Sequence, residues 1–236
     1  MQYNIIGDIH GRNVWKQLVR EDEINIFVGD YLDPYPQEDI TDEAAWENFM
    51  EILHYRNQHP DTTILLWGNH DLHYIFPHER YSRYSRQNGE KMQRLYNDGL
   101  LRNLQLSYTI GEHTLVTHAG VTKEWWNMVC HLLRREMPAT PSFVGKLLNT
   151  FAQASPELME QLLGTETTFL ADDIYGNSPT ASPIWVRPKT LVEHNLFAGT
   201  DYRQIVGHTQ VAERTEIAGI AFTDDLRQYA NHKMTH

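Results

Sequence analysis

The stretch that decides the fold is Gly29-Asp30-Tyr31-Leu32-Asp33, which directly follows the apolar run Ile24-Asn25-Ile26-Phe27-Val28. A short apolar run bounded by a glycine predicts a buried β-strand. Two carboxylates at the end of a buried strand are costly unless a cation neutralises them. The stretch therefore predicts a strand whose carboxyl end holds a cation.

Two more apolar runs end in the same way. Tyr3 to Ile6 leads into Gly7-Asp8-Ile9-His10-Gly11, and Thr63 to Trp67 leads into Gly68-Asn69-His70-Asp71. Helical patterns separate the three runs, and this alternation predicts a parallel sheet with its three loops at one edge. Because ligands bind at that edge in open α/β sheets, the polar residues of these loops are expected to converge there.

The helices between these strands are predicted from capping residues and apolar spacing. Residues 13–20 predict a short helix, and Thr41 is typical of the N-cap of a longer one. The apolar residues behind Thr41 recur at helical spacing and are expected to face the sheet: Trp46, Phe49, Met50 and Leu53.

The rest of the chain predicts further strands and a block of helices. A β-hairpin is expected at 106–110 and 114–117, ending at His118-Ala119-Gly120, and a later strand is expected to end at Gly207-His208. Helical spacing over about 122–163 predicts an insertion that covers the active-site edge of the sheet. The loop at 164–183 is long enough to have a function, and closing strands are expected within 216–223. We predict an α/β fold of central mixed sheets flanked by helices, as one domain over 1–236.

The composition limits the partners of the protein. A net charge of −11 argues against non-specific binding to nucleic acid or to an anionic membrane. No apolar run approaches the ~20 residues of a membrane span, and no signal-peptide pattern is visible. The single cysteine, Cys130, cannot form an intramolecular disulfide, which fits a reducing compartment. We expect a cytoplasmic protein, and the sequence leaves its oligomeric state open.

The strand ends together supply a mixed set of carboxylate, amide and imidazole groups. Such a set suits manganese, iron or zinc better than calcium. Any one of these residues alone is more often a turn cap or an ordinary core or surface residue. Five motifs in order after separate strands favour a metal site instead. Two metals ~3.5–4 Å apart and bridged by a carboxylate would activate water for attack at phosphorus.

The five motifs resemble, in the same order, those of calcineurin-like metallophosphoesterases. They span residues 7 to 208 and are Gly7-Asp8-Ile9-His10-Gly11, Gly29-Asp30-Tyr31-Leu32-Asp33, Gly68-Asn69-His70-Asp71, His118-Ala119-Gly120 and Gly207-His208. The chain is most similar to the serine/threonine protein phosphatase branch and to bacterial diadenosine tetraphosphatases. Gln210 stands where many diesterases have the second histidine of Gly-His-x-His, as expected for the protein phosphatase branch.

The resemblance implies two divalent metal ions, with manganese expected and iron or zinc as alternatives. The implied ligands are Asp8 and His10 for the first metal, Asn69, His118 and His208 for the second, and Asp30 as the bridge between them. His70 resembles the general acid, and Asp33 resembles the carboxylate that orients it. Arg187 resembles a phosphate-binding arginine, although a surface salt bridge would also explain it.

One position departs from the family pattern. The family sequence Gly-Asp-x-x-Asp-Arg-Gly has an arginine where this chain has Pro34. Loss of one donor to the transition state can lower the rate by ~10²–10³. Either another residue, with Arg12 as the candidate, replaces this arginine, or the substrate is not a phosphoprotein.

The segment from His78 to Arg94 is rich in arginine and tyrosine. It could form a cationic rim that recruits a phosphorylated or nucleotide substrate. The favoured interpretation is a solvated helix whose arginines pair with nearby carboxylates. Histidines outside the motifs are interpreted as ordinary residues, with His73 the least certain because it lies two positions past Asp71.

The sequence thus predicts a two-metal phosphoesterase that hydrolyses phosphate monoesters of a phosphoprotein or a small molecule. Hydrolysis of dinucleoside polyphosphates or other nucleotides is one alternative. A non-catalytic metal-binding module is another, although the complete ligand set together with His70 and Asp33 argues against it.

Overall fold

The computed structural model describes residues 2–165 and 175–228. Its strands are β1 (Tyr3–Ile6), β2 (Ile24–Phe27), β3 (Thr63–Leu66), β4 (Leu104–Gln105), β5 (Ser107–Ile110), β6 (Thr114–Thr117), β7 (Arg203–Val206), β8 (Thr215–Ile217) and β9 (Ile220–Phe222). Its α-helices are α1 (Trp15–Leu18), α2 (Asp42–Gln58), α3 (Asn69–Leu72), α4 (Arg86–Asn97), α5 (Lys123–Leu132), α6 (Pro141–Phe151), α7 (Pro156–Leu163) and α8 (Pro188–Glu193). No helix in these ranges is long and apolar enough to cross a membrane.

The strands form two sheets. The first has the order β1-β2-β3-β4, and all of its strands are parallel. The second has the order β5-β6-β7-β9-β8 and is mixed, because β5-β6 and β8-β9 are antiparallel while β7 is parallel to both of its neighbours. The predicted fold class, mixed α/β with flanking helices, is confirmed.

Alternation along the strands creates two apolar cores. Ile5 and Ile26 from the first sheet pack with Val116 of the second in one cluster. Their neighbours Ile6 and Phe27 belong to the larger cluster that includes the helices. Successive strand side chains point to opposite faces, so the first sheet is covered on both faces and its strand ends are held rigidly.

Helix α2 confirms the predicted cap but not the whole predicted face. The Thr41 hydroxyl accepts a hydrogen bond from Ala44 N at 3.1 Å, as an N-cap does. Phe49 is fully buried, whereas Met50 is 38% exposed. The buried face runs instead through Ala45, Phe49, Ile52 and Leu53, so the predicted stripe is correct for Phe49 and Leu53 only. The first helix is also shorter than predicted, Trp15–Leu18 rather than 13–20.

The predicted helical block contains α5, α6 and α7. Helix α6 packs on β5, where Ser107 Oγ donates to Gly145 O at 2.9 Å and Asn149 Oδ1 accepts from Ser107 N at 3.0 Å. Helix α7 reaches the rim of the candidate site, because Glu160 Oε1 accepts from the amides of His78 and Glu79 at 2.8 and 2.7 Å. Residues 166–174 of the predicted functional loop lie outside the described residues.

Candidate metal centre

The six predicted ligands meet at the carboxyl ends of β1, β2, β3, β6 and β7. Two groups of potential ligands share one carboxylate: Asp8, His10 and Asp30 form the first, and Asp30, His118 and His208 form the second. Within each group the ligand atoms lie within 4.8 Å of one another. Asp30 therefore lies where a bridging carboxylate was expected, and the strand order brings the five motifs together.

The second group, with Asn69, presents lone pairs to a common point. Asn69 Oδ1 lies 2.9 Å from His118 Nε2 and 3.1 Å from His208 Nδ1, and these two nitrogens are 3.2 Å apart. The far nitrogen of each ring donates to a backbone carbonyl, at 2.7 Å to Val28 O and 3.1 Å to Trp185 O. A neutral imidazole has only one N–H, so both inward nitrogens carry lone pairs. Such backbone partners are typical of histidines that bind a metal.

Burial keeps these imidazoles in the ligand form. It lowers the pKa of His118, and it lowers the pKa of His208 still more with help from the neighbouring His118 and Arg187. A metal ligand must be deprotonated, so neutral rings are ready to bind. Lone pairs that converge without a shared hydrogen repel each other, and a divalent cation is the group that would relieve this repulsion.

The first group shows the same features. His10 Nδ1 lies 3.0 Å from Leu32 O, which leaves Nε2 facing Asp30 Oδ2 at 3.5 Å. The pKa of His10 lies well below its usual value because of burial and then of the positive charges nearby. Asp8 Oδ2 is buried and has no hydrogen-bond partner among the described residues. Burial, and then the charges of Asp224 and Asp30, raise the pKa of Asp8. The oxygen and nitrogen donors fit a divalent metal.

The backbone around Asp30 is fixed by Asp71. Its two carboxylate oxygens accept hydrogen bonds from Asp30 N, Tyr31 N and Gly68 N, each at 2.8 Å. A Cβ on Gly68 would lie only 2.6 Å from Asp30 N, so this close approach of two strand ends requires glycine. Asp71 and Gly68 thus hold the backbone of Asp30 in place.

Several site residues have a left-handed backbone. Positive φ angles occur at His10 (44°), Asp30 (53°), Asp33 (59°) and His208 (63°). Such conformations are uncommon outside glycine and persist where the surrounding structure enforces them, often at functional sites. The strain therefore supports a functional assignment for these loops.

Asp33 organises a buried network with three donors, which we call the carboxylate network (Asp33, His70, His73 and Tyr74). Asp33 Oδ2 lies 2.7 Å from His70 Nδ1 and 2.8 Å from His73 Nε2, and the Tyr74 hydroxyl donates to Oδ1. Burial would raise the pKa of Asp33, but the hydrogen bonds from His70 and His73 outweigh it, and the pKa is lowered. Burial and then the charge of Asp33 raise the pKa of Tyr74, so it remains a donor.

Three of these residues, Asp33, His70 and His73, are close enough to be considered as a third metal group. His73 Nδ1, however, accepts a hydrogen bond from Tyr81 N at 3.0 Å, so the proton of the neutral ring is on Nε2, which lies 2.8 Å from Asp33 Oδ2. The hydrogen bonds of His70 and Tyr74 to Asp33, together with the close contact of His73, account for this group without a cation. The expectation that His73 is an ordinary residue was therefore wrong.

The predicted arginines differ in their surroundings. Arg187 lines a cavity of about 670 Å³ together with Asp30, Asn69, His70 and other site residues. Arg187 Nε donates to Tyr175 O at 2.8 Å and Nη1 to Thr209 Oγ1 at 3.3 Å. Arg12, the suggested replacement for the arginine missing at position 34, is instead only 4% exposed. It pairs with both oxygens of Glu38 at 2.8 Å, so this hypothesis is wrong.

The cationic segment from His78 to Arg94 is not one unit. Arg86 and Lys91 lie on α4 and pair with Glu90 at 3.7 Å and Glu43 at 2.8 Å, as the favoured interpretation expected. Arg83 precedes the helix and lines the cavity instead. For this arginine the solvated-helix interpretation was wrong.

Asp224 is a neighbour of the site that the sequence interpretation missed. It is 1% exposed, and neither of its carboxylate oxygens has a hydrogen-bond partner among the described residues. Burial raises the pKa of Asp224 to about 7. A Cβ on Gly7 would lie 2.8 Å from Thr223 O, so glycine permits this segment to approach the loop of Asp8. Asp224 lies just after β9, as the predicted ligands lie just after their strands. No glycine precedes Asp224, however, so the motif pattern did not identify it.

These features define an α/β protein with two groups of candidate metal ligands at its strand ends. A model described as calcineurin-like phosphoesterase matches residues 1–212. The chain belongs to this family, whose members are metal-dependent phosphoester hydrolases with a dinuclear metal site. No curated protein sequence matches it.

Solved structures share the fold at low identity. A cold-active protein-tyrosine phosphatase of a Shewanella species is 16% identical with a TM-score of 0.57, covering 97% of this chain and 72% of that one. A protein serine/threonine phosphatase from Saccharomyces cerevisiae is 17% identical with a TM-score of 0.54, covering 94% of this chain and 66% of that one. At this identity the likeness establishes the fold.

Proposed function

We propose that the protein hydrolyses phosphate monoesters, as serine/threonine protein phosphatases do, on a phosphoprotein or a small phosphoester. One observation carries the proposal: the lone pairs of Asn69, His118 and His208 converge within 2.9–3.2 Å at the wall of a cavity that His70, paired with Asp33, also lines. Metal ligands and a candidate proton donor are both needed for this reaction, and here they are adjacent.

Six residues would hold the two metal ions. Asp8 and His10 would hold the first ion, Asn69, His118 and His208 the second, and Asp30 both, with manganese as the expected metal. When bound, two such ions supply positive charge to the phosphoryl oxygens and generate a nucleophile from water.

His70 is proposed to be the general acid. Its Nδ1 is held by Asp33 Oδ2 at 2.7 Å, which directs Nε2 toward the cavity. The lowered pKa of Asp33 keeps this carboxylate charged, so it fixes the ring and stabilises the imidazolium. The proton at Nε2 would pass to the leaving oxygen, with no covalent enzyme intermediate.

Arg187 is proposed to bind the substrate phosphate. Its contacts with Tyr175 O and Thr209 Oγ1 hold the planar guanidinium at the wall of the cavity. A guanidinium matches two phosphate oxygens at once and keeps its charge at any relevant pH.

Hydrolysis of a nucleotide phosphoanhydride is the second candidate function. The cavity of about 670 Å³ is larger than one phosphate needs. It is lined by three arginines, Arg80, Arg83 and Arg187, together with Tyr35 and Tyr175. This combination suits a substrate with several phosphates and a base.

The test is manganese-dependent hydrolysis of an aryl phosphate monoester, its diester analogue and diadenosine tetraphosphate. His70→Asn is expected to lower monoester kcat by roughly 10²–10⁴ with metal content unchanged, as loss of a general acid does. Faster turnover of the dinucleotide would favour the second function. Two bound metals without turnover of any substrate would contradict both.

A further inference from the structure

We propose that Arg83 binds the phosphoryl group of the substrate in the same cavity as Arg187. In this role Arg83, on a loop distant in sequence, supplies the guanidinium that the family pattern places directly after Asp33, where this chain has Pro34. The inference rests on the proposed function and adds a residue that lies in none of the five motifs.

The position of Arg83 is the first argument. Its Nη1 donates to Asp33 O at 2.7 Å, the carbonyl that directly precedes Pro34. Its Nη2 lies 3.1 Å from His70 Nε2, the nitrogen that faces the cavity. The guanidinium carbon lies 3.9 Å from the centre of the Tyr35 ring, which fixes its plane. A phosphoryl group within reach of His70 would therefore also be within reach of Arg83.

The charge of Arg83 is the second argument. In a chain of net charge −11, no carboxylate among the described residues forms an ion pair with it. Arg12 and Arg86, in contrast, pair with Glu38 and Glu90. A guanidinium has five N–H groups, and its two protein contacts leave donors for an anion. A partly buried cation that lacks an acidic partner is suited to binding an anionic ligand.

The backbone of Arg83 is the third argument. Its φ of 65° is left-handed, a conformation that glycine adopts freely and a long side chain rarely does. A turn alone would be better served by glycine. The strained conformation places a guanidinium in the cavity, which is the pattern seen where strain serves function.

The loop around Arg83 is held on both sides by the carboxylate network. Tyr81 N donates to His73 Nδ1 at 3.0 Å, and Ser85 N donates to the Tyr74 hydroxyl at 3.1 Å. The same network holds His70 through Asp33. The candidate acid and the guanidinium are thus positioned by one buried carboxylate, which preorganises both for one substrate.

Arg83→Ala and Arg83→Lys test the proposal, with Arg86→Ala as the matched control because Arg86 is exposed and lies on α4. The readouts on manganese-loaded protein are kcat and KM for the aryl monoester, the inhibition constant of inorganic phosphate, metal content and melting temperature. We expect Arg83→Ala to lower kcat/KM by roughly 10²–10³, as loss of a transition-state donor does. We also expect it to weaken phosphate inhibition at least about tenfold, the effect of losing one charged hydrogen bond. Arg83→Lys should recover part of each loss, because lysine keeps the positive charge but lacks the planar pair of N–H groups that binds two oxygens at once.

Two results would overturn the proposal. One is an Arg83→Ala variant whose kcat/KM and phosphate inhibition match those of Arg86→Ala. The other is a fall in kcat with unchanged phosphate inhibition, because Arg83 would then act only by positioning His70. If the wild type turns over no substrate, the proposed function fails. Calorimetric binding of inorganic phosphate to the wild type, Arg83→Ala and Arg86→Ala then still decides whether Arg83 binds the anion.

Discussion

Asp224→Asn should stabilise the metal-free protein at neutral pH. The substitution keeps the shape of the side chain and removes its ability to ionise. Asp224 is buried without a hydrogen-bond partner among the described residues, and burial raises its pKa to about 7, against the lowering effect of Arg12. An ionised Asp224 therefore costs free energy in the folded state that it does not cost in the unfolded chain.

The magnitude follows from the two pKa values. Between the unfolded value of 3.8 and the folded value of about 7, the folded state binds more protons, so the free energy of unfolding falls as pH rises. At about 1.4 kcal/mol for each tenfold change in proton affinity, the full loss is roughly 4 kcal/mol. By the same linkage, more than half of this loss develops between pH 5 and 8.

The assay is urea unfolding followed by tryptophan fluorescence, on protein stripped of metal with a chelator, from pH 5 to pH 8. The quantity compared is the difference in unfolding free energy between Asp224→Asn and the wild type, which should grow with pH. This difference cancels the opposite contribution of His10, His118 and His208, whose lowered pKa values stabilise the fold as pH rises toward their unfolded value. Asp22→Asn, an exposed carboxylate, is the control.

A difference that stays flat from pH 5 to pH 8 would refute the reasoning, because Asp224 would then ionise at the same pH in both states.

The affinity for manganese provides a second test of the same substitution. Removing an anion beside Asp8 should weaken metal binding by roughly 10–100-fold, as is usual for residues that support metal ligands. The same substitution should therefore raise the stability of the metal-free protein and lower its affinity for metal.

Two further predictions concern the metal centre itself. His118→Ala removes one of the nitrogen lone pairs that converge beside Asp30 and Asn69. The bound manganese should therefore fall from two ions per chain to one, measured by elemental analysis after gel filtration. Gly68→Ala would place a Cβ 2.6 Å from Asp30 N, so it should lower the free energy of unfolding by about 1–3 kcal/mol, measured by urea unfolding with manganese present; unchanged stability would show that the two strand ends can move apart.

The convergence of the candidate metal ligands could be predicted from the sequence because each lies just past the end of a strand. Asp8, Asp30 and Asn69 lie in the segments that follow β1, β2 and β3, and parallel strands bring such positions to one edge. His118 and His208 follow β6 and β7, which are parallel neighbours in the second sheet. Strand order and chain order therefore suffice to place these residues together. The less regular features, such as the exact buried face of α2, depend on packing and were missed.

The carboxylate network shows why the remaining residues could not be predicted in this way. His73 and Tyr74 lie just past α3, and no periodic pattern distinguishes them from ordinary core residues. They matter because Asp33, forty positions away, needs three donors once it is buried. That requirement becomes visible only when the contacts are known. Asp224 likewise stands out only because both of its carboxylate oxygens lack a hydrogen-bond partner among the described residues.

The proposed role of Arg83 likewise depends on its three-dimensional surroundings. The resemblance to the protein phosphatase branch implies that an arginine is missing at position 34, but the sequence does not identify a guanidinium group that could take its place. Arg12 is adjacent to a motif and yet is occupied by Glu38, whereas Arg83 lies outside every motif and faces the cavity. The deciding property is the absence of a carboxylate partner in the described structure, which is a property of three-dimensional surroundings. A motif can thus lose a residue while the site keeps the charge, provided that another buried network holds the substitute in position.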